Sequence, residues 1–559
     1  MHHASRHSAL TAALLFFGLL APAAGMQAQS ALPDSIRVRI DSVFSRWDRT
    51  DAPGCALGVS QGGKSVYERG YGMSDLQHGL AITPRSIFHV ASISKQFAAF
   101  SVALLARDGK LSLDDDVRKY VSEIPDYGKR ITLRQLIHHT SGLRDQWQLL
   151  AYAGWRYPDD LITERDVLDI VSRQRGLNFS PGDEYIYSNT GYTLLAVIVK
   201  QVSGQSLREF AQARLFEPLG MRDTHFHDDH TMIVPGRTSA YEPRAGGGWR
   251  ISIPVFDTYG ATSLFTTAGD LLKWMANLDA PSTLGAQLVT EAETSAILTD
   301  GSPTGYGYGL SIDTYRGLRA IGHGGADAGY RAQVERYPER GLAIAVLCNS
   351  STSGPNVLAR RTADVLIGNS APAAVARIDT VPRAVGRAVM ERWVGMYRDP
   401  VSQSVIRLRL RGDSLSVSDG RRLITTSDST VRVVGSGSGF VLRGSGDAPP
   451  VLVQLPRSTR DLVFRREVPM VATKALLAQY GGIYYSEELD TRYTLVPGDS
   501  TIALTHRKHD SAVLEPAFAD AFTLPFGATA LFTRDGRGRV TGFILSDGRL
   551  RGVRFVRER

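Results

Sequence analysis

A serine and a lysine one helical turn apart are the first residues here that could do chemistry. Ser92 and Lys95 lie in Phe88-His89-Val90-Ala91-Ser92-Ile93-Ser94-Lys95-Gln96-Phe97. An apolar run with helical spacing follows (Phe97, Phe100, Val102, Ala103, Leu104, Leu105), and Asp108-Gly109 is its stop signal. The pattern predicts that Ser92 opens a buried helix, with Lys95 on the same face. A serine is a poor nucleophile until a neighbour takes its proton. A lysine desolvated beside it has a lowered pKa and can take part in that transfer. The helix N-terminus adds donors for developing negative charge. Ser-x-x-Lys alone is weak, since about one match is expected by chance in a chain this long. An N-cap serine followed by a surface lysine explains it equally well, so the residues downstream decide.

Tyr187 and Asn189 lie in Tyr185-Ile186-Tyr187-Ser188-Asn189-Thr190-Gly191-Tyr192, after Phe179-Ser180-Pro181-Gly182 and ahead of an apolar helix from Tyr192 to Val199. Two apart in an extended loop, they point the same way. A positive charge beside a tyrosine favours phenolate, so Tyr187 is a candidate base for Ser92 and acid for a leaving group. Asn189 is a candidate for orienting Lys95 and a substrate amide. By itself this segment also reads as a turn with a packed tyrosine. Further on, Gly322-His323-Gly324-Gly325-Ala326 precedes Tyr330. Gly324 and Gly325 let a ligand lie along a strand edge, with His323 over the site. The backbone N–H groups of Ser92 and Ala326 are the candidate oxyanion hole.

These residues need a frame. Residues 53–75 read as two strands around Gln61-Gly62-Gly63-Lys64. Leu111 to Asp116 reads as a helix start, and Thr266 to Trp274 as a capped one. Tyr306 to Leu310, the run ending near Gly325, Tyr330 to Tyr337, and Ala343 to Cys348 read as antiparallel strands. Strands at both ends with helices between give an α+β fold. A linker rich in Ala, Pro and Ser follows, over 369–387. Beyond it, Trp393-Val394-Gly395-Met396-Tyr397 resembles Tyr480-Gly481-Gly482-Ile483-Tyr484, 87 positions later. The two units close on Leu462-Val463-Phe464 and Val553-Arg554-Phe555. Two all-β repeats, 388–468 and 469–559, are expected.

At 559 residues the chain exceeds one ordinary domain. Arg6 and an apolar run from Ala9 to Leu20, followed by small residues, read as a signal peptide over 1–28. The run is too short to span a bilayer, so no stable membrane span is expected. The net charge of +8 is scattered, without blocks of like charge. No motif supports nucleic-acid binding. The two cysteines, Cys55 and Cys348, are too few for a disulfide scaffold, and both lie in apolar strand-like runs. They read as two buried thiols, or as a disulfide in an oxidising compartment.

Taken in order, Ser92-x-x-Lys95, Tyr187-x-Asn189 and His323-x-Gly325 resemble the serine β-lactamase and penicillin-binding family. The branch is that of class C β-lactamases, D-aminopeptidases, D,D-peptidases and esterases, and the likeness covers roughly residues 35–365 within a domain over 29–368. The resemblance implies a β-lactamase/transpeptidase-like fold, an antiparallel sheet flanked by helices. It implies Ser92 as acylated nucleophile, Lys95 and Tyr187 as joint proton-transfer groups, Asn189 as positioning residue, and His323 with its glycines as third motif. It also implies that the first and last strands are neighbours, which would bring Cys55 and Cys348 together. Class C β-lactamases carry lysine where this chain has His323, and neutral histidine holds a substrate carboxylate less strongly. The repeats resemble the lipocalin-like barrels appended to some family members. His225-Phe226-His227-Asp228-Asp229-His230 packs metal-ligand types together, yet the family needs no metal, and the segment reads as a polar loop.

The expected function is a secreted or periplasmic serine hydrolase that forms an acyl-enzyme on Ser92. Its substrate would be an amide or ester, chiefly a small or D-amino-acid-containing peptide. The alternative is a β-lactamase or carboxylesterase with the same site. The rival from another class is a catalytically silent envelope-binding protein that works through its β repeats. No cofactor is called for, and a homo-oligomer built through the repeats is left open.

Overall fold

The computed structural model describes residues 32–157, 159–368, 382–434, 438–444, 450–455 and 462–559. The expected signal peptide lies outside the described residues, as do 369–381 of the expected linker. The fold is α+β. A six-stranded antiparallel sheet runs Ser311–Tyr315, Leu318–Asp327, Tyr330–Tyr337, Leu342–Cys348, Cys55–Gln61, Lys64–Tyr71. The first strand therefore lies beside the last, with Cys55 opposite Cys348. The structure joins these two by a disulfide.

Leu342–Cys348 is buried throughout because alternate side chains feed two different cores. Ala343, Ala345 and Leu347 face a core built from the helices Ser94–Arg107, Asn189–Ser203 and Ala268–Asp279. Leu342, Ile344, Val346 and Cys348 face a second core closed by Asp34–Phe44 and Pro355–Ile367. No helix among the described residues is long and apolar enough to cross a membrane.

Two segments differ from the sequence reading. Tyr306 to Leu310 is a turn, not a strand: Gly305 and Gly309 take φ of 70° and 68°, and Gly307 N donates to Leu310 O at 2.8 Å. The strand begins only at Ser311. Leu111–Asp116 does not open an α-helix. Asp116 instead caps a single 3₁₀ turn, Val117–Lys119, by accepting from Arg118 N.

The C-terminal third forms two closed eight-stranded barrels, from Gly395–Arg398 to Val463–Glu467 and from Gly482–Ser486 to Leu550–Arg557. The sequence repeat is a structural one. Tyr397 OH donates to Trp393 O at 3.1 Å, and Tyr484 OH donates to Tyr480 O at 2.8 Å. Arg466 reaches Val394 O and Arg557 reaches Gly481 O in the same way. The second barrel packs on the α+β unit through a buried Arg144–Glu488 ion pair at 2.5 Å. Arg551 and Glu184 pair across the same boundary at 3.0 Å.

Candidate active site

Ser92 sits in a 3₁₀ turn, Ala91–Ile93, one residue before the helix Ser94–Arg107 begins. The turn is tied from both sides. Ser94 Oγ donates to Ala91 O at 2.5 Å and accepts from Leu264 N at 2.9 Å, while Ala91 N donates to His89 Nδ1 at 3.3 Å. Across it runs Leu318–Asp327. A Cβ on Gly325 would stand 2.1 Å from Val90 O, so only glycine lets this strand approach the serine turn so closely.

Lys95 is fully buried. Its Nζ lies 3.1 Å from Ser92 Oγ, 2.8 Å from Asn189 Oδ1 and 2.6 Å from Ala261 O. Burial holds its pKa well below the usual lysine range. The Asp145 charge opposes that shift and the Arg549 charge adds to it. Asn189 is the first residue of the helix Asn189–Ser203, not part of an extended loop. Its backbone and side-chain amides both donate to Asp145 Oδ2, at 2.7 and 2.8 Å.

The Tyr187 ring has Lys95 Nζ and the Arg549 guanidinium each 4.8 Å from its centroid. Its hydroxyl is buried without a hydrogen-bond partner among the described residues. A neighbouring positive charge favours ionisation of the Tyr187 phenol, but burial outweighs it. The Tyr187 pKa is raised, and Ser92 is the largest influence pulling it back. Tyr187 is therefore a neutral phenol at rest, able to donate a proton and take one in exchange.

His323 is neutral too, since burial and the nearby Lys95 charge lower its pKa to about 4. Its Nδ1 lies 2.5 Å from Gly324 O. A carbonyl only accepts, so Nδ1 carries the proton and Nε2 accepts from Tyr306 OH at 2.9 Å. Ser92, Tyr187, Asn189, His323, Gly324, Gly325 and Ala326 all line one cavity of about 820 Å³. Lys95 lies beneath its floor.

Sequence reasoning missed Asp145, the Ala261 carbonyl, Tyr306 and Arg549. Asp145 had a local signal, as an acidic N-cap ahead of the helix Gln146–Ala153. Arg549 had none. It reaches the cavity from the turn Asp547-Gly548-Arg549 between the last two strands of the second barrel. In the segment 225–230, His225 and His227 pack on Phe265 at 5.7 and 4.6 Å, and burial lowers both pKa values to about 4. Asp229, His230 and Asp257 bring ligand-type atoms within 4.8 Å of one another in a polar loop. His230 Nδ1 is already 3.0 Å from both Asp257 oxygens.

The Beta-lactamase family profile matches residues 40–369. The chain is 27% identical to a D-aminopeptidase of Cereibacter sphaeroides over 442 residues, 78% of this chain and 80% of that one. It is 25% identical to a D-aminopeptidase of Brucella melitensis biotype 2 over 525 residues, 90% and 96% of the two chains. Among solved structures, the octameric penicillin-binding protein homologue from Pyrococcus abyssi shares the fold. Its TM-score is 0.55 at 21% identity, over 86% of this chain and 99% of that one.

Proposed function

The chain belongs to the beta-lactamase family and is a serine hydrolase, and from that premise we propose that it cleaves small D-amino-acid-containing peptides through an acyl-enzyme on Ser92. The observation that carries this reading is how Lys95 is bonded. Asn189 Oδ1 and Ala261 O occupy two N–H directions, so a neutral amine turns its lone pair to Ser92 Oγ, 3.1 Å away. In this reading Lys95 takes the serine proton as Oγ bonds to the substrate carbonyl carbon. The N–H groups of Ser92 and Ala326 hold the oxyanion. Tyr187 gives its proton to the leaving nitrogen as the C–N bond breaks, and recovers one from the Lys95 ammonium. Water then attacks the ester carbonyl, and the same groups run in reverse to free Ser92.

The D-aminopeptidase relatives support peptide amides as substrates. Esters and β-lactams would acylate the same serine. We rank them lower, because a neutral His323 leaves the third motif without the cation that a β-lactam carboxylate would meet. We also place the protein in the periplasm or outside the cell. The signal-peptide pattern and the Cys55–Cys348 bond both support an oxidising compartment. Lipocalin-like roles for the barrels, and assembly of copies through them, belong to the same reading and are read out by mass photometry of the full chain.

The test is intact-protein mass after incubation with a D-aminoacyl anilide, a short-chain ester or a penicillin, on wild type and Ser92→Ala. An acyl adduct or turnover on wild type alone is expected. Turnover that survives Ser92→Ala overturns the reading.

A further inference from the structure

We propose that Arg549, carried into the catalytic cavity by the second barrel, selects substrates that bear a free carboxylate. For turnover this rests on the hydrolase reading above; for binding it does not. The turn that carries Arg549 is fixed. Its carbonyl accepts from Asn178 Nδ2 at 2.9 Å and from Asp145 N at 3.3 Å. Its N–H donates to Asp547 Oδ1 at 2.8 Å, and Tyr152 OH donates to Asp547 Oδ2 at 2.9 Å. The neighbouring Arg551 spends its charge on Glu184, with two contacts at 3.0 Å. Arg549 does not. Its guanidinium makes no ion pair or hydrogen bond among the described residues. It lies over Tyr187 and lines the same cavity as Ser92.

The other basic groups at the cavity each have hydrogen-bond partners. Lys95 has three partners. Arg331 NH1 donates to Ala328 O at 2.8 Å and Tyr330 O at 2.7 Å. His323 is neutral with both ring nitrogens used. The cavity's carboxylate, Asp327, accepts from Thr262 at 2.6 Å and from Tyr157. A half-buried guanidinium with open donors, in a cavity walled by aromatic rings, matches a carboxylate. The planar fork meets both oxygens, and the charge-assisted bonds gain strength away from bulk water.

The experiment compares D-alanyl-D-alanine with D-alanyl-D-alaninamide, which differ only in the terminal charge. The readout is the acid-to-amide ratio of kcat/KM in wild type, Arg549→Gln and Arg549→Lys. We expect Arg549→Gln to lower the ratio by about tenfold or more, chiefly through KM, and Arg549→Lys to restore part of it. An unchanged ratio, including an equal fall on both substrates, overturns the proposal and leaves Arg549 as a wall of the cavity.

A second arm needs no turnover. Trp147 lines the cavity, so its fluorescence reports D-alanyl-D-alanine binding to Ser92→Ala protein. Saturable binding that weakens about tenfold in Ser92→Ala/Arg549→Gln supports the proposal, even if wild type proves to hydrolyse nothing and the hydrolase reading falls. No binding, or equal binding by the two proteins, overturns it.

Discussion

One carboxylate oxygen of Asp145 receives both amides of Asn189, the backbone N–H at 2.7 Å and the side-chain NH₂ at 2.8 Å. With the NH₂ taken, only Oδ1 of Asn189 is left to face Lys95, which it meets at 2.8 Å. The other Asp145 oxygen caps the helix Gln146–Ala153 through Trp147 N at 2.9 Å. Its own N–H donates to Arg549 O at 3.3 Å. Asp145 thus links the lysine beside the nucleophile to the hairpin of the second barrel, without touching Ser92 itself.

Asp145→Ala should therefore cost both stability and rate. It leaves two buried donors of Asn189 unpaired and removes a helix cap, a loss of about 2–4 kcal/mol. Asn189 is then free to rotate away from Lys95, and kcat should fall about 100-fold. Asp145→Asn keeps the size and one accepting oxygen, so its losses should lie between those of wild type and alanine. Denaturant melts and steady-state kinetics on the three proteins check this. A fall in kcat with unchanged stability would show that the Asn189 bonds carry no folding energy.

The pH profile separates the two charges acting on Lys95. Lys95 must be neutral to take the serine proton, so kcat/KM rises as pH climbs through its pKa. Burial sets that pKa low, the Asp145 charge raises it, and the Arg549 charge lowers it further. Asp145→Asn should thus move the acidic limb to lower pH, and Arg549→Gln should move it to higher pH. Profiles of kcat/KM on an uncharged substrate read both shifts. Shifts of the same sign would mean that Lys95 is not the group titrating.

Much of this arrangement was legible because it is local. Ser92 and Lys95 are one turn apart, Tyr187 and Asn189 lie within three residues, and His323 is followed by the glycines that let its strand reach the serine turn. The apolar strand ending at Cys348 and the aromatic-glycine starts of the barrels were readable for the same reason. What could not be read depends on contacts across the chain. Asp145 meets Asn189 across 44 positions, and Arg551 in the Arg549 hairpin meets Glu184 across 367. The direction of the Tyr187 shift depends on burial, which no motif encodes. Tyr306 to Leu310 misled because Tyr-Gly alternation imitates the strand period, while the left-handed glycines turn the chain.

Acid should unfold the protein through its buried histidines before most carboxylates titrate. Burial lowers His89 to about 3 and His138 and His323 to about 4, and holds His139 well below its ordinary range. In the unfolded chain each titrates near 6.5. The folded pKa values lie below the unfolded ones, so this stability is whole above about pH 6.5 and is lost as pH falls toward 4. Each histidine contributes a slope of about 1.4 kcal/mol per pH unit across that window. Unfolding free energies measured from pH 7 to 5 should fall steeply, and His138→Gln should flatten the curve. A level curve over that range would mean that these rings are protonated in the fold.

The Cys55–Cys348 bond should matter to stability and not to catalysis. It closes a loop of 293 residues, so its loss frees a large part of the unfolded chain, a cost of about 2–5 kcal/mol. Both cysteines belong to the core closed by Asp34–Phe44 and Pro355–Ile367, on the opposite face of the sheet from the helix that carries Lys95. The strands are also paired residue for residue from Cys55/Cys348 to Gln61/Leu342, a register that the sheet backbone carries in addition to the sulfur bond. Reduction, or Cys55→Ala with Cys348→Ala, should therefore lower the denaturant midpoint and leave kcat/KM at 25 °C within about twofold. The double variant should also become insensitive to reductant. A loss of activity on reduction that precedes unfolding would place the bond in control of the site, since strain would then be passing through the sheet from Cys348 to the Gly325 strand.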